Sequence, residues 1–145
     1  MLFYKTCYCI GNTVFRIVFR FNVLGKENIP KKGSIILCSN HTSNFDPLIL
    51  GLAIPRQIRF MAKIELFKNY FVAAILKKLG AFPINRKKAD LSAIRTSMNV
   101  LKNGEVLGIF PEGTRTFEED INKAKPGIGM IVVKSKSPVI PVFIN

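Results

Sequence analysis

Short apolar runs alternate along the chain with longer stretches in which apolar residues recur every three or four positions, the rhythm of strands and helices taking turns. Runs at 34–38, 57–61, 81–84, 105–110 and 139–144 predict strands, and the helical period over 47–54, 64–79, 91–102 and 127–135 predicts helices between them. Gly80 and Gly104 each fall just past a helical pattern, where a left-handed residue closes a helix. Asp46 and Asp90 stand at the opposite ends as candidate caps. Strand and helix in alternation imply an α/β fold with a largely parallel central sheet flanked by helices.

Residues 1–24 follow a different pattern. They are apolar, yet Lys5, Arg16 and Arg20 interrupt the run well short of the ~20 residues that a membrane span requires. On a wheel of about 100° per residue, Lys5, Asn12, Arg16 and Arg20 share one wedge, and Phe3, Cys7, Ile10, Val14, Ile17 and Phe21 lie opposite. That is the pattern of an amphipathic helix lying in a membrane interface; the alternative is a helix docked on the protein's own core. Asn12 and Thr13 inside the apolar region, with no small-residue cleavage site after it, argue against a secretory signal. The expected organisation is an N-terminal interfacial segment, 1–24, and one domain, 25–145.

Composition narrows the partners. A chain of 145 residues, 48% hydrophobic, can bury one core. Its 22 Lys and Arg against 9 Asp and Glu leave a net charge of +13, a positive surface suited to nucleic acid, anionic lipid headgroups or an acidic carrier protein. With no Trp and three Tyr, the stacking rings that nucleic-acid binders interleave with basic residues are poorly supplied. Lipid is the better match. Three cysteines and one histidine make neither a disulfide framework nor a Cys/His metal quartet, which agrees with a reducing cytoplasmic setting and no metal.

Three segments carry candidate chemistry. In the stretch from Ser34 to Leu50, a buried strand is followed by a polar turn and a helix opening at Asp46-Pro47. His41 lies just past the carboxyl end of the strand, where open α/β sheets bind ligands. On a continuous helix His41 and Asp46 would point about 140° apart, so their pairing requires the turn. A carboxylate on one imidazole nitrogen fixes the tautomer and leaves the other nitrogen to accept a proton. Asp46 as a plain helix cap, His41 as a packing residue, and Cys38, Ser39 or Ser43 as a nucleophile are the competing readings, the last without a G-x-S-x-G elbow to support it. In GAFPINR a strand delivers Arg86, with Lys87 and Lys88 after it, and a guanidinium fork matches phosphate oxygens; a solvated basic turn has the same composition. In LGIFPEGTR a strand ends in a turn where Gly113 lets backbone donors approach an anion and Arg115 adds charge.

Taken together and in order, NHTSNFD with its His-x4-Asp spacing, GAFPINR, FPEGTR and VIPV (139–142) resemble the four motifs of the phospholipid and glycerol acyltransferase family, whose bacterial members include 1-acylglycerol-3-phosphate acyltransferases. The likeness runs over nearly the whole chain. It implies that His41 is a general base for an acceptor hydroxyl, that Asp46 orients it, and that Arg86, Glu112, Gly113, Thr114 and Arg115 bind the acceptor, with the arginines on its phosphate. Lys63 is a further candidate phosphate contact, and Pro141 is expected to shape the core. The resemblance implies acyl-CoA or acyl carrier protein as donor, no cofactor, lysophosphatidic acid as acceptor, and a station on the anionic cytoplasmic face of the cell membrane. Glycerol 3-phosphate or another lysolipid as acceptor, and a non-catalytic lipid-binding protein, are the alternatives. Family domains usually continue past the fourth motif, so a C-terminal truncation is also an expectation.

Overall fold

The apolar run Ile35–Ser39 forms β1, which has to be central because four of its five residues are buried. Successive side chains of a strand point to opposite faces, and β1 accordingly feeds two cores. Ile35 and Leu37 pack with Leu50, Ile54, Ile58 and Val106 on one face, whereas Ile36 packs with Leu101, Leu107, Ile109 and Ile131 on the other. A strand covered on both sides reads as a continuous hydrophobic run, as parallel strands do.

The computed structural model describes residues 2–85, 90–115 and 125–145. In chain order its elements are α1 (Leu2–Phe19), β1, α2 (Asp46–Ala53), β2 (Ile58–Lys63), α3 (Tyr70–Leu79), β3 (Phe82–Ile84), α4 (Leu91–Lys102), β4 (Val106–Ile109), α5 (Pro126–Ser135) and β5 (Val139–Val142), with 3-10 turns at Lys26–Asn28 and Ile64–Phe67. The sheet has the order β3-β2-β4-β1-β5, and its strand pairs are all parallel. In register, Leu37 of β1 faces Gly108 of β4 on one side and Ile140 of β5 on the other. Parallel pairing sends every strand's carboxyl end to the same edge. The turns after β1, β2, β3 and β4 are therefore gathered there.

The expected strands are all present, and local chemistry explains most of the boundaries. Gly80 closes α3 in the left-handed region at φ 104°, and Asp90 caps α4 by accepting from the amides of Ser92 and Ala93. The helix expected over 64–79 is broken in two. Asn69 adopts extended backbone and its side chain accepts from the amides of Phe71 and Val72, so α3 begins there and 64–67 winds as a 3-10 turn.

Helix α1 departs from the two-sided wheel. Tyr4 donates to the carbonyls of Gly51 and Arg56, and Asn12, placed in the polar wedge by the wheel, donates to the carbonyl of Leu52 at 2.8 Å. Gly11 allows the close approach, because a Cβ there would lie 2.9 Å from a Leu52 methyl. This docked face leaves Ile10, Val14 and Ile17 in solvent, Ile17 at 76% exposure. Lys5 and Arg16 occupy the third side and are also exposed. Arg20 turns left-handed at φ 50°, ending the helix, so that Phe21 leaves the stripe and packs against the first core. The alternative of a helix docked on the protein itself is met by one face, and a second, apolar face stays exposed. Among the described residues no helix is long and apolar enough to cross a membrane.

Candidate active site

The turn between β1 and α2 does what the spacing of His41 and Asp46 demands. Asp46 is the first residue of α2, preceded by Phe45 in the capping position, and its carboxylate folds back over the turn instead of capping its own helix. Asp46 Oδ2 lies 2.9 Å from His41 Nδ1 and accepts from the amides of Thr42 at 2.7 Å and Ser43 at 2.8 Å. Both side chains are buried, His41 at 8% and Asp46 at 1% exposure. Burial by itself would raise the Asp46 carboxyl, but the Ser43 amide, His41 and the Thr42 amide outweigh it and hold it below the usual carboxylate value. Asp46 is thereby kept ionised against the imidazole. With Nδ1 committed to it, Nε2 is the nitrogen left to take a proton.

The ring is held on its face as well as its edge. Phe110, one residue past β4, stacks on His41 with centroids 4.2 Å apart and planes 23° from parallel. Asn40, just before His41, exchanges two hydrogen bonds with the backbone of Ile144, 2.8 and 2.9 Å long, and so extends the β1–β5 pairing by one side chain. Neither contact was anticipated. Phe110 stands within the FPEGTR segment, but a phenylalanine at a strand end carries no sequence signal of the ring it will meet across the sheet.

The competing nucleophile reading finds no geometry. Burial, followed by the nearby Glu112 charge, pushes the Cys38 thiol up, which disfavours the thiolate. Ser39 donates to Asn40, and Ser43 Oγ accepts from the Phe45 amide. None of the three bonds the imidazole among the described residues.

His41, Lys63 and Arg115 line one cavity of about 520 Å³. Its other walls are chiefly apolar, with Tyr4 and Tyr8 from α1 and Leu48, Leu66 and Leu76 around them. A second cavity of about 560 Å³ lies on the α4–α5 side, lined by Ile94, Ile128 and Ile131, and shares Met61 and Phe110 with the first. The turn after β4 is closed by the Gly113 amide donating to the Phe110 carbonyl at 3.0 Å, with Gly113 left-handed at φ 67°. That glycine faces the second cavity. Glu112 is half-buried on the same turn, and its Oε2 has no hydrogen-bond partner among the described residues. Thr114 is exposed and lines neither cavity. Arg86 lies outside the described residues; Asn85 before it is tied to α4 through Asp90, which accepts from its amide at 2.7 Å. Pro141 pairs with Cys38 in the sheet, a structural position. Among the described residues no cluster of His, Cys, Asp and Glu could hold a metal ion.

The site thus consists of a carboxylate-oriented imidazole lining a mostly apolar cavity, with two cationic side chains, Lys63 and Arg115, also in its lining. The chain belongs to the acyltransferase family, whose model matches residues 20–145. It is 38% identical to the 1-acyl-sn-glycerol-3-phosphate acyltransferase of Bacillus subtilis over 95% of this chain and 69% of that protein. The enzyme of the same name from Borreliella burgdorferi is 32% identical over 92% of this chain and 54% of its own length. The crystal structure of the 1-acyl-sn-glycerophosphate (LPA) acyltransferase from Thermotoga maritima superposes with a TM-score of 0.73 at 35% identity, covering 95% of this chain and 56% of that one. The chain thus spans between about half and about two thirds of these relatives.

Proposed function

We propose that this chain transfers a fatty acyl group from an acyl thioester, acyl-CoA or acyl carrier protein, to the sn-2 hydroxyl of 1-acyl-sn-glycerol 3-phosphate, giving phosphatidic acid for phospholipid synthesis. The observation that carries the reading is the buried His41–Asp46 pair, 2.9 Å apart, opening on a cavity that also contains Arg115 and Lys63. His41 Nε2 takes the hydroxyl proton as the oxygen attacks the thioester carbonyl. The tetrahedral oxyanion collapses, the carbon–sulfur bond breaks, and the imidazolium returns its proton to the leaving thiolate. Asp46 stabilises the imidazolium throughout. Arg115, Arg86 and Lys63 hold the acceptor phosphate, and no cofactor takes part.

The same reading stations the protein on the anionic cytoplasmic face of the cell membrane. Ile10, Val14 and Ile17 on α1, and Tyr70, Phe71 and Ile75 on α3, expose apolar surface, and the net charge of +13 supplies attraction to acidic headgroups. The acceptor's tail then need not leave an apolar environment to reach the first cavity. The test offers the purified protein 1-acylglycerol 3-phosphate and glycerol 3-phosphate separately, each with labelled acyl-CoA and acyl carrier protein. Labelled phosphatidic acid is expected from the lysolipid. A product from glycerol 3-phosphate alone would replace the acceptor assignment, and absence of any acylated product would leave a lipid-binding protein.

A further inference from the structure

Gly108 occupies the middle of β4, where a glycine weakens a strand and where its backbone makes no use of a positive φ. Its value lies in what its missing side chain leaves room for. Phe60 is its partner across the β2–β4 ladder. A Cβ on Gly108 would fall 2.6 Å from Phe60 Cδ1, closer still to Cε1, and 2.8 Å from an Ile58 methyl. The Phe60 ring therefore lies in the slot that a side chain at 108 would occupy. Residues two apart on a strand project from one face, so a ring over Gly108 comes to lie beside Phe110. The two phenyl rings are within 10° of parallel with centroids 6.0 Å apart, and Phe110 is the ring stacked on His41 at 4.2 Å.

We infer that Gly108, Phe60 and Phe110 form a supporting column that sets the plane of the His41 ring, with Phe110 acting as a positioning residue for the base. The hydrogen bond to Asp46 fixes where Nδ1 sits, but the outer torsion of a histidine side chain has a broad well, and with the inner torsion it lets the ring tilt about Nδ1 and carry Nε2 through the cavity. A ring packed face-on against the imidazole removes that rotation. Because misplacement by about 1 Å can lower a rate on the order of 10²-fold, the column acts on kcat through the direction of Nε2. The kinetic part rests on the acyl-transfer reading; the geometric part does not.

The chain has one histidine, so its imidazole carbon-bound protons can be followed by NMR without assignment. Held over a phenyl face, they are expected upfield of free imidazole at a pH where both rings are neutral. Phe110→Leu is expected to abolish that displacement and to lower kcat roughly 10- to 100-fold at saturating substrates, with each KM within about threefold. Phe110→Tyr, which keeps the ring, should recover most of both. Gly108→Ala should expel Phe60 and reduce the displacement, and in a Phe60→Leu background it should add little further loss, since the two act on one slot. Unshifted imidazole signals in the unmodified protein, or a Phe110→Leu protein with unchanged kcat, would overturn the proposal even if Gly108→Ala fails to fold. Failure of the acyl-transfer reading would instead appear as imidazole signals displaced upfield as expected in a protein whose His41→Ala variant loses no activity.

Discussion

Replacing Asp46 by Asn is the sharpest perturbation of the site because it changes one atom's chemistry and almost no volume. Asp46 Oδ2 accepts three hydrogen bonds, from His41, Thr42 and Ser43. Because all three converge on Oδ2, an asparagine oxygen in that place keeps the two amide bonds and the bond from Nδ1, but it carries no charge to stabilise the imidazolium. General-base contributions of ~10² to 10⁴ correspond to about 2.7 to 5.4 kcal/mol of barrier at 1.36 kcal/mol per decade, and the lower end is expected when the orienting bond is kept and only the charge is lost. The two amide bonds persist, so the stability cost is held to about 1–2 kcal/mol. Initial rates of label transfer to 1-acylglycerol 3-phosphate, taken beside a denaturant titration, separate the two effects. A folded Asp46→Asn protein with kcat within about threefold of the unmodified chain would refute the role of the Asp46 charge.

Other outcomes follow from single contacts. Arg115→Ala should raise the acceptor KM well above any change in donor KM, measured by varying each substrate in turn; an unchanged acceptor KM removes Arg115 from the phosphate site. Ile10→Glu with Ile17→Glu should abolish co-sedimentation with anionic vesicles while leaving the circular dichroism spectrum intact, since both residues are exposed and touch neither core; retained binding would place the membrane contact elsewhere. Asp90→Ala should destabilise the fold by about 1 kcal/mol through loss of the α4 cap, read from a shifted denaturation midpoint. The Asn85 amide, followed by the Ser92 hydroxyl, holds the Asp90 carboxyl at about 2 instead of 3.8. Because the folded value is the lower one, its stabilisation is complete above 3.8 and fades as pH falls through about 2. The variant should show a shallower acid limb, and an identical limb would contradict that role.

Local patterns were readable where the physics is local. Strand runs and the caps at Gly80 and Asp90 depend on a few neighbouring residues, and the His41–Asp46 contact depends on one six-residue turn, so all were visible in order along the chain. The break at Asn69 was missed because apolar periodicity runs through it, although asparagine before Tyr-Phe-Val is a capping signal. The third face of α1 could not be read from a two-sided wheel: Tyr4, Gly11 and Asn12 matter only once α2 supplies carbonyls and a leucine to meet them. Strand order was hidden for a similar reason, since β4 enters between β1 and β2, and nothing adjacent in sequence records it. Gly108 and Phe110 belong to the same class, because their meaning lies in Phe60 and His41 on other strands.

The account depends on His41 being the proton acceptor. Turnover of His41→Ala, with its fold verified by circular dichroism, tests this most directly with 1-acylglycerol 3-phosphate and acyl-CoA both saturating. A fall of about two to four orders of magnitude is predicted. Turnover near that of the unmodified chain would contradict it.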